Sequence, residues 1–359
     1  MTLLLLVVLR AVSTAPIPPY AARLLVDAAF VRGAPEERAL AVGLLRLGDE
    51  VTVLGCAPAC GATGAWALLD GGAIRTALLR PTRADEPPPV RTFDYGRVRS
   101  SGARVRAVPD DGSRILERRP AGQDLAFIPD PVLRAAGWLR RVYGGFVRAD
   151  EIRPSTASAF AGQVDPSLPL GFVVEEGSGH HRGDRAAVLS IEKGRVVLPD
   201  GELLRDHVRV ARAHPRPAGI PNGARWVHVS LREQTLVAYD ADTPAYATLV
   251  STGRDPHATP IGLYRVWYKE IHGPMHADPP EPYFVDEVPF VQYFRDGMAL
   301  HGTFWHDRFG RRASHGCVNL SMTDARWLFD WAPPRLPAGW HAIEPAPAHL
   351  PTLWVLITR

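Results

Sequence analysis

The sequence predicts a mainly β protein built from several small domains. Three observations carry that expectation. The chain has 359 residues, more than the 100 to 200 or so that one domain usually takes. Its 32 glycines and 34 prolines punctuate short Val- and Thr-rich runs, the pattern of many short strands joined by turns. A set of landmarks also recurs at a nearly fixed spacing. Val31-Arg32-Gly33-Ala34-Pro35 returns as Val105-Arg106-Ala107-Val108-Pro109, Trp66 as Trp138, Gly71-Gly72 as Gly144-Gly145, and Arg80-Pro81 as Arg153-Pro154, with offsets of 74, 72, 73 and 73 residues. A constant offset across four landmarks is the mark of a duplicated structural unit.

From the N-terminus, Leu3 to Leu9 is an apolar run of signal-peptide length, followed by Ser13-Thr14-Ala15 before Pro16. Residues 1–16 are expected to be a cleaved export signal, and the run is too short to span a bilayer. The two copies of the repeat occupy 22–82 and 91–155, separated by the Pro- and acid-rich stretch Arg83 to Val90. A weaker echo, Asp200-Gly201 with Arg205, leaves open a degenerate third copy within a small β module over 160–213. Residues 214–223, rich in Pro, Gly and Arg, read as a linker to a last domain over 224–359. Trp66 and Trp138 are expected in the module cores.

Charge excludes one class of partner. Net charge is +3 from 41 basic and 38 acidic residues, and the arginines are scattered, so no nucleic-acid footprint is present. Of the three cysteines, Cys56 and Cys60 either close a small disulfide loop in an oxidising envelope or stand as two unpaired loop thiols. His272 and His276 lie in a Pro-rich insertion and are expected to be solvated, and the loop pair His180-His181 is expected to carry no function.

The chemistry is concentrated near the C-terminus. His301-Gly302-Thr303 is followed by Ser314-His315-Gly316-Cys317-Val318-Asn319, which brings a thiol and two imidazoles together. Cysteine attacks carbonyls as thiolate, so a nucleophilic Cys needs an imidazole or a helix N-terminus beside it. Ser321-Met322-Thr323-Asp324 reads as a capped helix start just after the thiol, and backbone N–H groups around Gly316 and Cys317 are candidates for an oxyanion site. His301, His306, Asp307, His315 and Cys317 could ligate zinc, but no Cys-x-x-Cys or His-Glu-x-x-His spacing is present, so neither metal nor cofactor is expected.

These motifs resemble the catalytic domain of the L,D-transpeptidases, which cross-link bacterial peptidoglycan. Arg225 to Leu231 with Gln234 to Tyr239 is similar to its opening hairpin, and Val250 to Gly253, Thr259 to Gly262 and Val288 to Phe294 resemble its later segments. The resemblance implies a β-rich catalytic domain with a short helix after the catalytic Cys. It assigns Cys317 as nucleophile, His301 as proton acceptor and donor, and His315 as an assisting group. Gly302, Thr303, Ser314, Gly316 and Asn319 would shape the substrate and oxyanion pocket, where one common family variant has Arg at the Asn319 position. Ile271 to Glu287 would supply a lid. Peptidoglycan stem peptides would be substrates, carbapenem-type β-lactams inhibitors, and the periplasm or cell envelope the location. L,D-carboxypeptidase activity, wall-protein attachment and an inactive wall-binding protein remain alternatives. Cell-wall endopeptidases are disfavoured because their nucleophile precedes the histidine. The two repeats resemble bacterial SH3-like modules, implying small barrels that bind wall polymer or act as spacers.

Overall fold

The computed structural model describes residues 16–89, 92–277, 283–344 and 351–359. The apolar run at the N-terminus lies outside them. The fold is mainly β, and among the described residues no helix is long and apolar enough to cross a membrane. The described residues form two compact units, one of those up to Pro89 with Pro337–His341 and one of the remainder.

The first unit contains the first repeat. Strand Tyr20–Leu24 pairs antiparallel with Glu50–Val53 on one side and with Leu79–Pro81 on the other. Two hairpins, Ala28–Arg32 with Ala41–Arg46 and Trp66–Leu69 with Gly72–Arg75, complete it, and a 3-10 turn at Thr76–Leu78 leads into the closing strand. Cys56 and Cys60 are disulfide-bonded, which leaves Cys317 as the free thiol.

The second unit repeats this plan. Asp94–Val98 pairs with Asp124–Ile128 and with Ile152–Pro154, the hairpins are Ala103–Arg106 with Ile115–Arg119 and Trp138–Arg141 with Phe146–Arg148, and the 3-10 turn is Ala149–Glu151. Both recurring Val-Arg pairs fall on a register shift, between Val31 and Arg32 and between Val105 and Arg106. The Gly-Gly landmark has a steric cause. A Cβ on Gly72 would meet Val31 Cγ1 at 2.6 Å, and one on Gly145 would meet Val105 Cγ1 at 2.5 Å. Trp66 and Trp138 are buried as expected, each under an arginine, Arg75 and Arg148.

A third small module follows. Leu170–Val173 pairs with Arg185–Ala187 and with the closing strand Val208–Ala211, which again comes after a 3-10 turn, Arg205–His207. Its core includes Val188, Val196, Leu203 and Val208. His180 here is buried, with its ring nitrogen 3.6 Å from Asp200.

The last domain places strands Arg225–Ser230 and Trp354–Thr358 side by side in parallel, flanked by Thr235–Asp240, Thr243–Leu249 and Gly262–Arg265. Against this sheet pack the hairpin Tyr268–Ala277 with Tyr283–Arg295 and the helix Met322–Trp331, around Val227, Leu236, Leu300, Val318 and Leu328. The helix starts where the cap predicts, with Ser321 Oγ accepting from Asp324 N at 3.1 Å. Its other end is held by Lys269, which is wholly buried and donates to the carbonyls of Phe329, Ala332 and Pro334 at 2.8, 2.8 and 2.9 Å. The Pro-rich insertion is therefore a long hairpin and not a loop. His272 sits within it, paired to the buried Glu287, because the hairpin packs this stretch against the second repeat; Phe93 lies edge-on to its ring at 4.8 Å. His276 is exposed.

Candidate active site

Strand Met298–Gly302 runs parallel to Val318–Leu320, with Leu300 opposite Val318 and His301 opposite Asn319. Side chains alternate across a strand, so Leu300 and Val318 enter the core while His301, Asn319 and Cys317 fall on the other face. That face lines a cavity of about 290 Å³, which also takes in Ser314, His315, Trp305 and His306. Residues sixteen apart in the chain are thus joined by two adjacent strands.

The imidazole of His301 is fixed. Its Nδ1 lies 3.0 Å from the Gly302 carbonyl, which can only accept, so the proton sits on Nδ1 and Nε2 keeps its lone pair. Trp305 stacks on the ring at 5.8 Å between centroids. Burial pushes the imidazolium down to about 4. Burial also pushes the Cys317 thiol up to about 11, opposed by the backbone N–H of Ala299 facing the sulfur. Each shift corresponds to about 3 kcal/mol against the charged form. Burial thus disfavours both the thiolate and the imidazolium in the cavity these residues share, and the thiol donates weakly to the Gly297 carbonyl at 3.8 Å. A thiolate held ready by an imidazolium is not what this desolvated site favours. The helix begins at Met322, after strand Val318–Leu320 and not directly at the thiol.

The loop before the thiol is tied from within. Ser314 Oγ accepts from Gly316 N at 3.1 Å and donates to the Cys317 carbonyl at 2.5 Å. Thr259 Oγ1 donates to the Gly316 carbonyl at 2.8 Å. Gly316 has φ 121°, a conformation that favours glycine, and its N–H is engaged by Ser314 and so is not the open oxyanion donor expected. Gly302 and Thr303 lie behind the cavity. A Cβ on Gly302 would meet Pro289 Cγ at 2.9 Å, and Thr303 N donates to the Leu320 carbonyl at 2.9 Å. His315 lies between Tyr283 of the hairpin and His257, at 4.9 and 5.4 Å between ring centroids.

The parts played by several cavity residues escape sequence reasoning, including His306, which reads there only as a possible zinc ligand. His306 Nδ1 accepts from Arg308 N at 3.1 Å, so its neutral ring, which burial holds down at about 4, must donate from Nε2. The Asn319 amide nitrogen lies 2.9 Å from that Nε2, and because two donors cannot share a hydrogen bond the amide is assigned turned over, its oxygen accepting from Nε2. The hairpin contributes Met275, Tyr283, Phe284 and Val285 to the cavity wall, and the second repeat contributes Arg97, Gly122 and Asp124.

Residues 224–338 match the family model described as the YkuD L,D-transpeptidase catalytic domain. This segment is an L,D-transpeptidase domain. The transpeptidase domain is also similar to a Bacillus subtilis (strain 168) protein, the L,D-transpeptidase candidate YciB, 24% identical over 127 residues. That match covers 30% of this chain and 61% of the relative, so the chain spans less than two thirds of that protein's length. Among solved structures, the C442S mutant of the Enterococcus faecium L,D-transpeptidase is 22% identical with a TM-score of 0.31, covering 42% of this chain and 55% of that one. L,D-transpeptidase 3 of Mycobacterium tuberculosis in complex with a faropenem-derived adduct is 17% identical with a TM-score of 0.31, covering 46% and 67%.

Proposed function

We propose that the protein is a cysteine-dependent L,D-transpeptidase that forms peptidoglycan cross-links through a thioester on Cys317. The observation that supports this reading best is the parallel register that puts His301, Asn319 and Cys317 on one face of one cavity, with Nε2 of His301 left as the acceptor.

The reaction starts from the neutral pair. As Cys317 Sγ attacks the carbonyl of the third residue of a donor tetrapeptide stem, its proton passes to Nε2 of His301. The new imidazolium is stabilised by the Gly302 carbonyl at Nδ1 and by the negative charge forming on the intermediate. Collapse breaks the peptide bond, and His301 returns the proton to the departing amine of the terminal D-alanine. An acceptor amine then attacks the thioester, loses a proton to His301, and expels the thiol. Attack by water instead would give L,D-carboxypeptidase activity. The same thiol would open a carbapenem-type β-lactam and be acylated by it. His315, against Tyr283, is placed to guide substrate past the hairpin, while Ser314 and Asn319 hold the shape of the pocket.

The two N-terminal repeats, each a small barrel-like set of antiparallel strands with a 3-10 turn before its closing strand, fit SH3-like modules of an exported envelope protein. Incubation of the purified full-length chain with tetrapeptide muropeptides, followed by mass spectrometry, tests the reading. Cross-linked dimers are expected from the native protein and none from Cys317→Ala; products unchanged in that variant would remove Cys317 as nucleophile.

A further inference from the structure

The catalytic cavity has one wall that the transpeptidase domain does not make. Strand Asp124–Ile128 of the second repeat lies alongside the hairpin strand Tyr283–Arg295, with Asp124 in parallel register against Val285. Behind this junction Arg141, itself buried, meets the fully buried Asp286, and Ala126 N donates to the same carboxylate at 3.3 Å. The repeat is thereby fixed against the hairpin, and its residues Arg97 and Asp124 open into the cavity that holds Cys317.

Arg97 is held in one orientation. Its Nε and Nη2 donate to the two oxygens of Asp124 at 3.0 and 2.6 Å, and Asp124 is 3% exposed. The fork uses one edge of the guanidinium. Nη1 carries no partner among the described residues, and the side chain is one-third exposed. Arg97 also lies near enough to His306 to push that imidazolium down. Arg254 and Arg308 line the same cavity, and among its described lining residues Asp124, already paired, is the one carboxylate. Arg97 thus brings a rigid guanidinium with an unused donor edge to the cavity that Cys317 also lines.

We propose that Arg97, oriented by Asp124, is a substrate-recognition residue that binds a carboxylate of the peptide acylating Cys317. The second repeat is then part of the catalytic machinery. This rests on the transpeptidase reading, because it needs a peptide in that cavity. Asp124 acts only through Arg97 and is a positioning residue. The first repeat contains the same pair, Arg23 with Glu50 at 3.0 Å, but there Nη1 donates to Glu86 at 2.8 Å and Nη2 to the Pro87 carbonyl, so no donor edge is left open.

The test uses the full-length protein and matched synthetic donor tetrapeptides, each carboxylate in turn replaced by a carboxamide. The native enzyme is expected to prefer the free acid at one position by about tenfold or more in kcat/KM, the effect of one charge-assisted hydrogen bond. In Arg97→Gln with Asp124→Asn, which leaves no lone buried carboxylate, that preference should fall to about twofold or less, and the loss should appear in KM more than in kcat. Arg97→Lys, which keeps the charge without the fork, should recover part of it. Arg23→Gln with Glu50→Gln in the first repeat should leave the preference intact. No preference in the native enzyme, an undiminished preference in the double variant, or equal loss for acid and amide donors would each overturn the proposal. Labelling of Cys317 by the neutral reagent iodoacetamide, at the native rate in both variants, separates this outcome from failure of the nucleophile itself. A native enzyme that labels yet acylates with neither donor refutes the transpeptidase reading instead.

Discussion

The same arginine–carboxylate pair stands at the same place in two repeats, and its surroundings differ. In the first, Arg23 sits opposite Glu50 in register, and in the second Arg97 sits opposite Asp124. Arg23 spends all three guanidinium nitrogens on protein acceptors and is nearly buried. Arg97 spends two and keeps an open edge. A duplicated module thus starts with a structural ion pair, and leaving part of its donor set unused converts that pair into a binding group. The third module lacks the pair: Phe172, opposite Arg209 in its closing strand, holds the place that Arg23 holds opposite Arg80.

The largest expected difference between the regions is in acid. His228, His301 and His306 are each pushed by burial down to about 4, and all three belong to the unit that carries the transpeptidase domain. A buried neutral imidazole takes up no proton while the unfolded chain, with a pKa near 6.5, does. Stability from these groups is complete above about 6.5 and is lost as pH falls toward 4, by up to about 3 kcal/mol for each. The first repeat, residues 22–82, contains no histidine. Scanning calorimetry between pH 7 and 4 should show the transition of the catalytic unit falling steeply while that of the first repeat moves less. Parallel shifts of the two transitions would mean that the histidines are not held neutral.

Next in size is the contrast between single deletions. Arg97→Ala leaves the Asp124 carboxylate in a site that is 3% exposed, where burial already pushes its pKa up, and should cost about 3 kcal/mol. Arg23→Ala removes more hydrogen bonds, yet the Glu50 side chain it abandons is 31% exposed and can be rehydrated, so about 1 kcal/mol is expected. Urea unfolding of each variant decides between them. A larger loss for Arg23→Ala would show that bond count outweighs desolvation here. At the thiol the corresponding reading is kinetic. With Cys317 pushed up to about 11, iodoacetamide labelling should rise with pH through 9 with no plateau, whereas a plateau from pH 6 would mean a preformed thiolate–imidazolium pair.

Much of this comparison is written in the sequence. The offset of 74 that relates Val31 to Val105 also carries Arg23 onto Arg97 and Glu50 onto Asp124, and the cap at Ser321 and the order of His301 before Cys317 are equally plain. What the letters do not carry is which copy meets the cavity. Arg97 and Cys317 are more than two hundred residues apart, and their sharing one cavity depends on one strand of the repeat lying against the hairpin at Asp124 and Val285. Desolvation was hidden for the same reason. A thiol flanked by two histidines reads as activated, and only the packing of the cavity shows that burial favours both groups uncharged. His306 reads in the sequence only as a possible zinc ligand, because its pairing comes from Asn319 on a neighbouring strand.

The smallest effect concerns a feature that the repeats share. Arg75 lies over Trp66 at 4.2 Å and Arg148 over Trp138 at 5.1 Å, both on partly exposed side chains. Cation–π contacts of this kind contribute about 0.5 to 1 kcal/mol. Arg75→Gln should cost slightly more than Arg148→Gln, because Arg75 also donates to Glu37 at 2.8 Å. Neither residue borders the catalytic cavity, so transpeptidation by both variants should match the native protein. If turnover fell in Arg148→Gln alone, with thermal stability unchanged, the functional difference between the copies would extend beyond the Arg97 pair to the far edge of the second module.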